Sequence, residues 1–289
     1  MAEIFGIVSG ALSVAAIFNN CVDTFEYIQL GRRFGEDFQR YQLKLDLAKT
    51  RLGRWGEAIS INNEPRFSSF ASADKEVNIA REILEDIASC FEGAQKKSSR
   101  YADRADQGEL EIFGESDMNP MLRRLHRHSK DIARQRQKTT SIIKKTKWAL
   151  YDAKSLERTI DQICSWIDEL EKLFPEQSAQ TQLVEREIEK IDDKPTLEAL
   201  KDAASGVDPV MEDAVQRKLN MIEGHNSAEF VNLEGSAKFL VGNVFSEKFL
   251  QRDVLLNDRT KNSMRTVSAT NQSRLQVGNV YGGRGIWED

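Results

Sequence analysis

The sequence predicts an all-α helical bundle followed by a tail of another kind, disordered as a monomer and folding into a two-layer β-solenoid on assembly. Three observations carry this expectation. Apolar residues recur at helical spacing from the N-terminus to about Ile222; those stripes and all five prolines end before Gly224; and a 21-residue segment in the remainder occurs twice, at 226–246 and 262–282.

The bundle begins with a segment, 4–22, that holds no charged residue. As one helix it would span roughly 28 Å at about 1.5 Å per residue, close to a hydrocarbon core of about 30 Å. Gly6 and Gly10 form a G-x-x-x-G pair with Ser9 and Ser13 beside them, and Ile4, Leu12 and Phe18 supply apolar bulk. That pattern allows close approach of membrane helices, and equally suits a helix buried in a core. The two readings agree if the helix is buried at rest and released on activation.

Next, Phe38, Tyr41, Leu45, Ala48, Leu52 and Trp55 recur at three- and four-residue steps, as do Ile79, Ile83, Ile87 and Phe91. After Ser155 the stripe Leu156, Ile160, Ile163, Ile167, Leu170 and Phe174 is closed by Pro175. Several helices with one apolar face each must pack on one another. Between them, 103–120 loses periodicity and reads as a loop with a minor hairpin at Leu110-Glu-Ile112. Asp208 before Pro209 is a helix start, and Gly224 a stop. The helical domain therefore covers 1–222, and the tail 223–289.

Charge and cysteine usage narrow the function classes. A net charge of −5 argues against bulk attraction to nucleic acid, although 123–147 holds ten Lys or Arg against Asp131 alone. That run is either a solvated helix face balancing the acidic stretch before Pro120, or a surface for anionic lipid or nucleic acid; no aromatic interrupts it before Trp148, which disfavours nucleic acid. Cys21, Cys90 and Cys164 lie far apart without metal-ligand spacing, as expected of a reducing, cytoplasmic compartment. His126, His128 and His225 form no catalytic or metal-binding pattern, so neither an enzyme nor a cofactor is expected.

The tail is where the chemistry changes. Aligned without gaps, its two copies share seven of 21 residues: the opening Asn-Ser (Asn226, Asn262), one central Val, and a late Val-Gly-Asn-Val containing Gly242-Asn243 and Gly278-Asn279. Alternating apolar residues read as short strands ending at the Gly-Asn turns, with linker 247–261 between copies. Two such copies bury too little to offset their ordering entropy alone. Stacked on each other and on the next molecule, they gain a partner above and below, as in cross-β assembly. Glu229 then falls opposite Arg265, and Asn226/Asn262 and Asn243/Asn279 form amide ladders. Lys238 over Arg274 is a mismatch that must face solvent. A β-hairpin tail, or a disordered tail with a fossil duplication, remains the plainer alternative.

The paired N-S-x(14)-G-N spacing, followed by Tyr281-Gly-Gly-Arg-Gly-Ile-Trp287, resembles the HET-s prion-forming domain of filamentous fungi. Phe5-Gly-Ile-Val-Ser-Gly-Ala-Leu12, Phe18-Asn-Asn-Cys-Val22, Phe25-Glu-Tyr27, Gln29-Leu-Gly-Arg-Arg33, Arg54-Trp-Gly-Glu57 and Trp148-Ala-Leu-Tyr-Asp152 resemble its HeLo domain. The resemblance spans the chain. It implies a HeLo-like bundle whose N-terminal helix permeabilises membranes in fungal heterokaryon incompatibility and cell death, triggered by amyloid folding of the tail. By position, the resemblance implies amyloid-core residues Ala228, Val231, Ala237, Phe239, Val241 and Val244 in copy one, and Met264, Val267, Ser273, Leu275, Val277 and Val280 in copy two. Implied partners are further copies of the chain, HET-s-type homologues, a receptor bearing a matching repeat, and the cell membrane on activation, without nucleic acid. Asn232, Ser236 and Asn271 are neutral where the family's copies carry charge, so fewer ion pairs join the layers. The alternative is a non-toxic prion or scaffold that polymerises without membrane activity.

Overall fold

The computed structural model describes residues 12–69, 73–105, 110–136, 147–222, 226–242, 244–245, 261–278 and 280–281. Contacts divide the chain into two units, Met1–Val215 and Gln216–Asp289.

In the first unit the described helices are α1 (Val14–Thr24), α2 (Phe38–Ala58), the short α3 (Pro65–Ser68), α4 (Lys75–Ala102), α5 (Pro120–Gln135), α6 (Ala153–Leu173), α7 (Gln177–Ile188), α8 (Lys194–Ala204) and the start of α9 (Pro209–Ile222). Their starts have chemical causes. Asp74, Asn119, Asp152 and Asp193 each place a side-chain oxygen on a backbone N–H of the first turn, for example Asp152 on Ser155 at 2.9 Å and Asp193 on Thr196 at 3.0 Å. Prolines follow the caps of α5 and α8, where a missing N–H costs nothing.

Helix α2 is the hub, packing against α1, α5, α6, α7 and α8, while α4 packs on α1 and α6. The stripes expected from sequence lie in this core. Leu45, Ala48, Leu52, Trp55, Ile83, Ile87, Phe91, Leu156, Ile160, Ile163, Ile167 and Leu170 are all buried, and only Tyr41 and Ile79 among the stripe residues are half-exposed. Trp55 also donates its indole N–H to the Leu170 carbonyl, 3.1 Å, so its polar edge is satisfied inside.

The all-α expectation misses a small sheet. Strands β1 (Ile28–Leu30) and β2 (Trp148–Leu150) pair in parallel. The stretch expected to form a hairpin around Leu110-Glu-Ile112 instead extends this sheet's edge: Ile112 bridges Gly31, and the Phe113 N–H donates to the Leu30 carbonyl at 2.7 Å. An apolar alternation of three residues cannot say which strand it will join.

The second unit holds, after α9, three strand pairs. These are β3 (Asn226–Leu233) with β6 (Asn262–Ala269), β4 (Lys238–Val241) with β7 (Arg274–Val277), and β5 (Val244–Phe245) with β8 (Val280–Tyr281). Every pair is parallel, and every register joins residue n to residue n+36, the spacing of the duplication.

Candidate functional site

The tail's geometry comes from that single offset. Asn226 pairs with Asn262, Ser227 with Ser263, and Val231 with Val267; Val241 pairs with Val277 and Val244 with Val280. Between the three strand sets the chain must turn, and both copies turn in the same way. Gly235 and Asn271 occupy equivalent positions and have φ of 66° and 60°; Gly242 and Gly278 have φ of 134° and 113°. Glycine and asparagine are the residues that adopt such angles at least cost. Backbone bonds cross from copy to copy at each turn: the N–H groups of Thr270, Arg274 and Gly278 donate to the carbonyls of Leu233, Ala237 and Val241 at 2.8–2.9 Å.

Burial is unequal between the copies. Val231 is 8 % exposed but Val267 40 %, and Val241 is 7 % exposed but Val277 47 %. Ala228, Ala237, Phe239, Met264, Ser273 and Leu275 are half-buried. Glu229 and Arg265 sit at equivalent positions, both exposed, and no ion pair joins them among the described residues. Asn243 and Asn279 lie outside the described residues. Two features escaped the sequence reading. Leu233 is buried two places after Val231, a period-2 signal present in the sequence, whereas Phe230, immediately before Val231, is 76 % exposed.

At the other end of the chain, Ile4, Gly6 and Gly10 lie outside the described residues. The rest of the charge-free segment enters a buried core helix. Ser13 has extended backbone (φ −71°, ψ 159°) and its hydroxyl accepts from the Ala16 N–H at 3.3 Å, so α1 starts at Val14 and no single helix runs unbroken through 4–22 in this conformation. Leu12, just before the cap, is half-buried, and its carbonyl accepts from Arg81 of α4 at 2.6 Å. Phe18 is fully buried, edge-on to Trp55 with centroids 6.0 Å apart, and its ring lies where a Cβ on Gly56 would be. The Cys21 thiol donates to the Leu84 carbonyl at 3.3 Å, and Asn19 joins Asn62 at 2.7 Å. Among the described residues no helix is long and apolar enough to cross a membrane.

One turn of α2 links these α1 contacts to the start of α9. Arg54, immediately before Trp55 and Gly56, is fully buried and donates to Glu187 at 3.0 Å and to Asp208 at 2.5 Å. Asp208 is itself fully buried and also accepts from the Met211 N–H, capping α9. Burial opposes its ionisation, but the Arg54 charge and hydrogen bonds outweigh burial and hold the Asp208 carboxyl below the usual range. Arg51, one turn earlier, meets Glu171 and Asp168 and donates to the Val207 carbonyl at 2.9 Å.

The described part of the basic run is largely paired. Arg127 and Lys130 meet Glu115 at 3.0 and 3.5 Å, Arg134 meets Glu26 at 3.3 Å, and Arg136 meets Glu187 at 2.7 Å. His126, given no role by sequence, holds Asp46 at 2.6 Å with Glu115 beyond it at 3.6 Å. Burial pushes its pKa down, but Asp46 outweighs burial and raises it above the ordinary histidine value. Among the described residues no group of three or more His, Cys, Asp or Glu is placed to hold a metal.

Comparison with known proteins accounts for both halves. The HeLo family, described as prion-inhibition and propagation, matches residues 6–200, and the Het-s 218-289 family matches residues 218–282. The chain is 50 % identical over 289 residues to heterokaryon incompatibility protein s of Podospora anserina, and equally to heterokaryon incompatibility protein S of that fungus; each alignment covers 100 % of both chains. The solved HET-S N-terminal domain superposes with a TM-score of 0.74 at 54 % identity, covering 76 % of this chain and 100 % of that one. A doubly substituted HET-s N-terminal domain gives a TM-score of 0.71 at 52 % identity, covering 73 % and 100 %. A HeLo-type bundle and a duplicated HET-s tail in one chain, in that order and over the full length of the fungal relatives, place this protein in the HET-s family of HeLo-domain proteins.

Proposed function

We propose that this chain is an amyloid-templated cell-death effector of fungal heterokaryon incompatibility. The carrying observation is the parallel stacking of one tail copy on the other at a constant offset of 36 residues. Parallel edges remain for a further layer, and the exposed Val267 and Val277 of copy two offer an apolar face for copy one of the next molecule. The tail, 223–289, thus polymerises as a two-layer β-solenoid, through the core, ladder and turn positions that its duplication defines. Its natural templates are fibrils of the same chain, HET-s-type homologues, or a receptor bearing a matching repeat.

The bundle, 1–222, is the executioner. Folding of the tail pulls on the end of α9; strain reaching Asp208 loosens Arg54, and with it the Trp55–Gly56 seat of Phe18. Segment 4–22 then leaves the core and enters the membrane. The protein is cytoplasmic at rest and moves to the cell membrane on activation. What supports this reading is the coexistence of a charge-free segment with a Phe18 seat on Trp55 and Gly56, directly after the buried Arg54 that pairs with Asp208.

The test is to add fibrils of the full chain to full chain mixed with dye-loaded vesicles of phosphatidylcholine and phosphatidylserine. Fibril growth with dye release is the expected result. The other reading, a prion or scaffold without membrane activity, is favoured by the capped, buried state of α1. It predicts growth with the dye retained.

A further inference from the structure

We propose that the C-terminal end of α4 and the turn after β1 form a binding site for a phosphate-bearing anionic headgroup. Two adjoining cavities of about 360 and 610 Å³ share Arg33, Lys97 and Tyr101, within the size range of roughly 300–1,000 Å³ that small ligands occupy. Arg100 and Tyr101 lie three and four residues after Lys97 and four and three before Arg104, so the four rise on one face of the helix and the turn that ends it. Arg33 comes in from a different element. Its guanidinium donates to the Tyr101 hydroxyl and lies 5.7 Å from the centre of that ring.

The wall of the site is rigid. Tyr101 stacks on Tyr151 with centroids 5.1 Å apart, Tyr151 fills the space a Cβ on Gly31 would need, and the Ser98 hydroxyl ties α4 to β2 through the Ala149 carbonyl. Four cations therefore converge on a preformed hollow. The last-turn position accounts for Arg100, since a helix C-terminus favours positive charge; it does not account for Arg33. Lys97, Arg100 and Arg104 enter no ion pair among the described residues. Asp152, the carboxylate of the larger cavity, is engaged in capping α6.

The chemistry that fits is phosphate. Guanidinium forks match phosphate oxygens in shape, lysine adds a mobile charge, and tyrosines suit the boundary between water and lipid. The same headgroup chemistry occurs on membrane lipids and on soluble polyphosphates. Applied to a lipid, the site deepens the membrane step of the proposed function and rests on that reading for its use. Binding itself does not depend on it.

The test uses full-length protein without fibril seeds, so that binding and leakage are read separately. Inositol hexakisphosphate is titrated in one arm, and vesicles of phosphatidylcholine with or without phosphatidylserine are cosedimented in the other. The triple variant K97Q/R100Q/R104Q is compared with K75Q/K172Q/K190Q, which removes as many exposed charges elsewhere. Each cation near an anionic surface is worth about fivefold, so the pocket variant should bind about a hundredfold more weakly and the control should match the parent. Tyr101→Phe, which removes the hydroxyl that positions Arg33, should weaken binding severalfold without lowering the melting temperature. Response to the soluble probe alone assigns a soluble phosphate, and response to anionic vesicles assigns a lipid headgroup; either supports the site. Binding of neither probe by the parent protein, or equal loss in the two triple variants, overturns it.

Discussion

The ring of Phe18 rests on the backbone of Gly56, in the space any side chain there would fill. α1 is held on α2 by this contact and by the neighbouring Trp55, while its polar bonds run to Asn62, beyond the end of α2, and to Leu84 of α4. Gly56→Ala should therefore push α1 outward and destabilise the bundle by about 1–3 kcal/mol, as overpacking does. Thermal unfolding measures the loss. Under the proposed mechanism, the variant should also release vesicle contents with less fibril seed than the parent.

Arg54 and Asp208 join α2 to the cap of α9 with both charges out of water. Asp208→Ala leaves Arg54 with Glu187 alone and should cost about 3–5 kcal/mol in denaturant unfolding. Because the folded carboxyl titrates below its unfolded value, the stability it contributes is present above about pH 3.9 and is lost as pH falls through the folded pKa. The acid limb of the parent's stability curve should flatten in Asp208→Asn.

His126 carries the opposite sign. Its folded pKa is raised, so its contribution is fully present below about pH 6.5 and disappears as pH rises through the folded value. Asp46 and Glu115 favour the imidazolium, while burial and Lys130 oppose it. Melting temperature measured from acid to mildly alkaline pH should fall across this window in the parent and change little in His126→Gln.

In the tail, Asn271 stands where copy one has Gly235, both with positive φ. Asn271→Val should strain that turn by roughly 1–2 kcal/mol and slow seeded growth of the full chain, whereas Asn271→Gly should grow as fast as the parent. Leu233→Asp should stop growth and Phe230→Ser should leave it intact, in line with their burial and exposure. Thioflavin kinetics distinguish these outcomes.

The helices were legible because their stripes are long: Leu156 to Phe174 runs for five turns and ends at proline, a pattern only a helix satisfies. β1 and β2 were not, since Ile28-Gln-Leu30 and Trp148-Ala-Leu150 are too short to show a period and lie far apart in sequence. The tail's register was legible from duplication alone, which pairs Asn226 with Asn262 without any propensity argument. Its turns were less so. Gly235 and Asn271 differ as residues and agree only in backbone angle. The Arg54–Asp208 pair was invisible because 154 positions separate its members and neither motif announces the other.

Mass per length of fibrils grown from the full chain measures how many layers each molecule supplies. If each molecule supplies both copies as successive layers, fibrils should hold one molecule per about 9.5 Å, twice the interstrand spacing of about 4.7–4.9 Å. One molecule per about 4.8 Å would contradict stacking of 226–246 on 262–282.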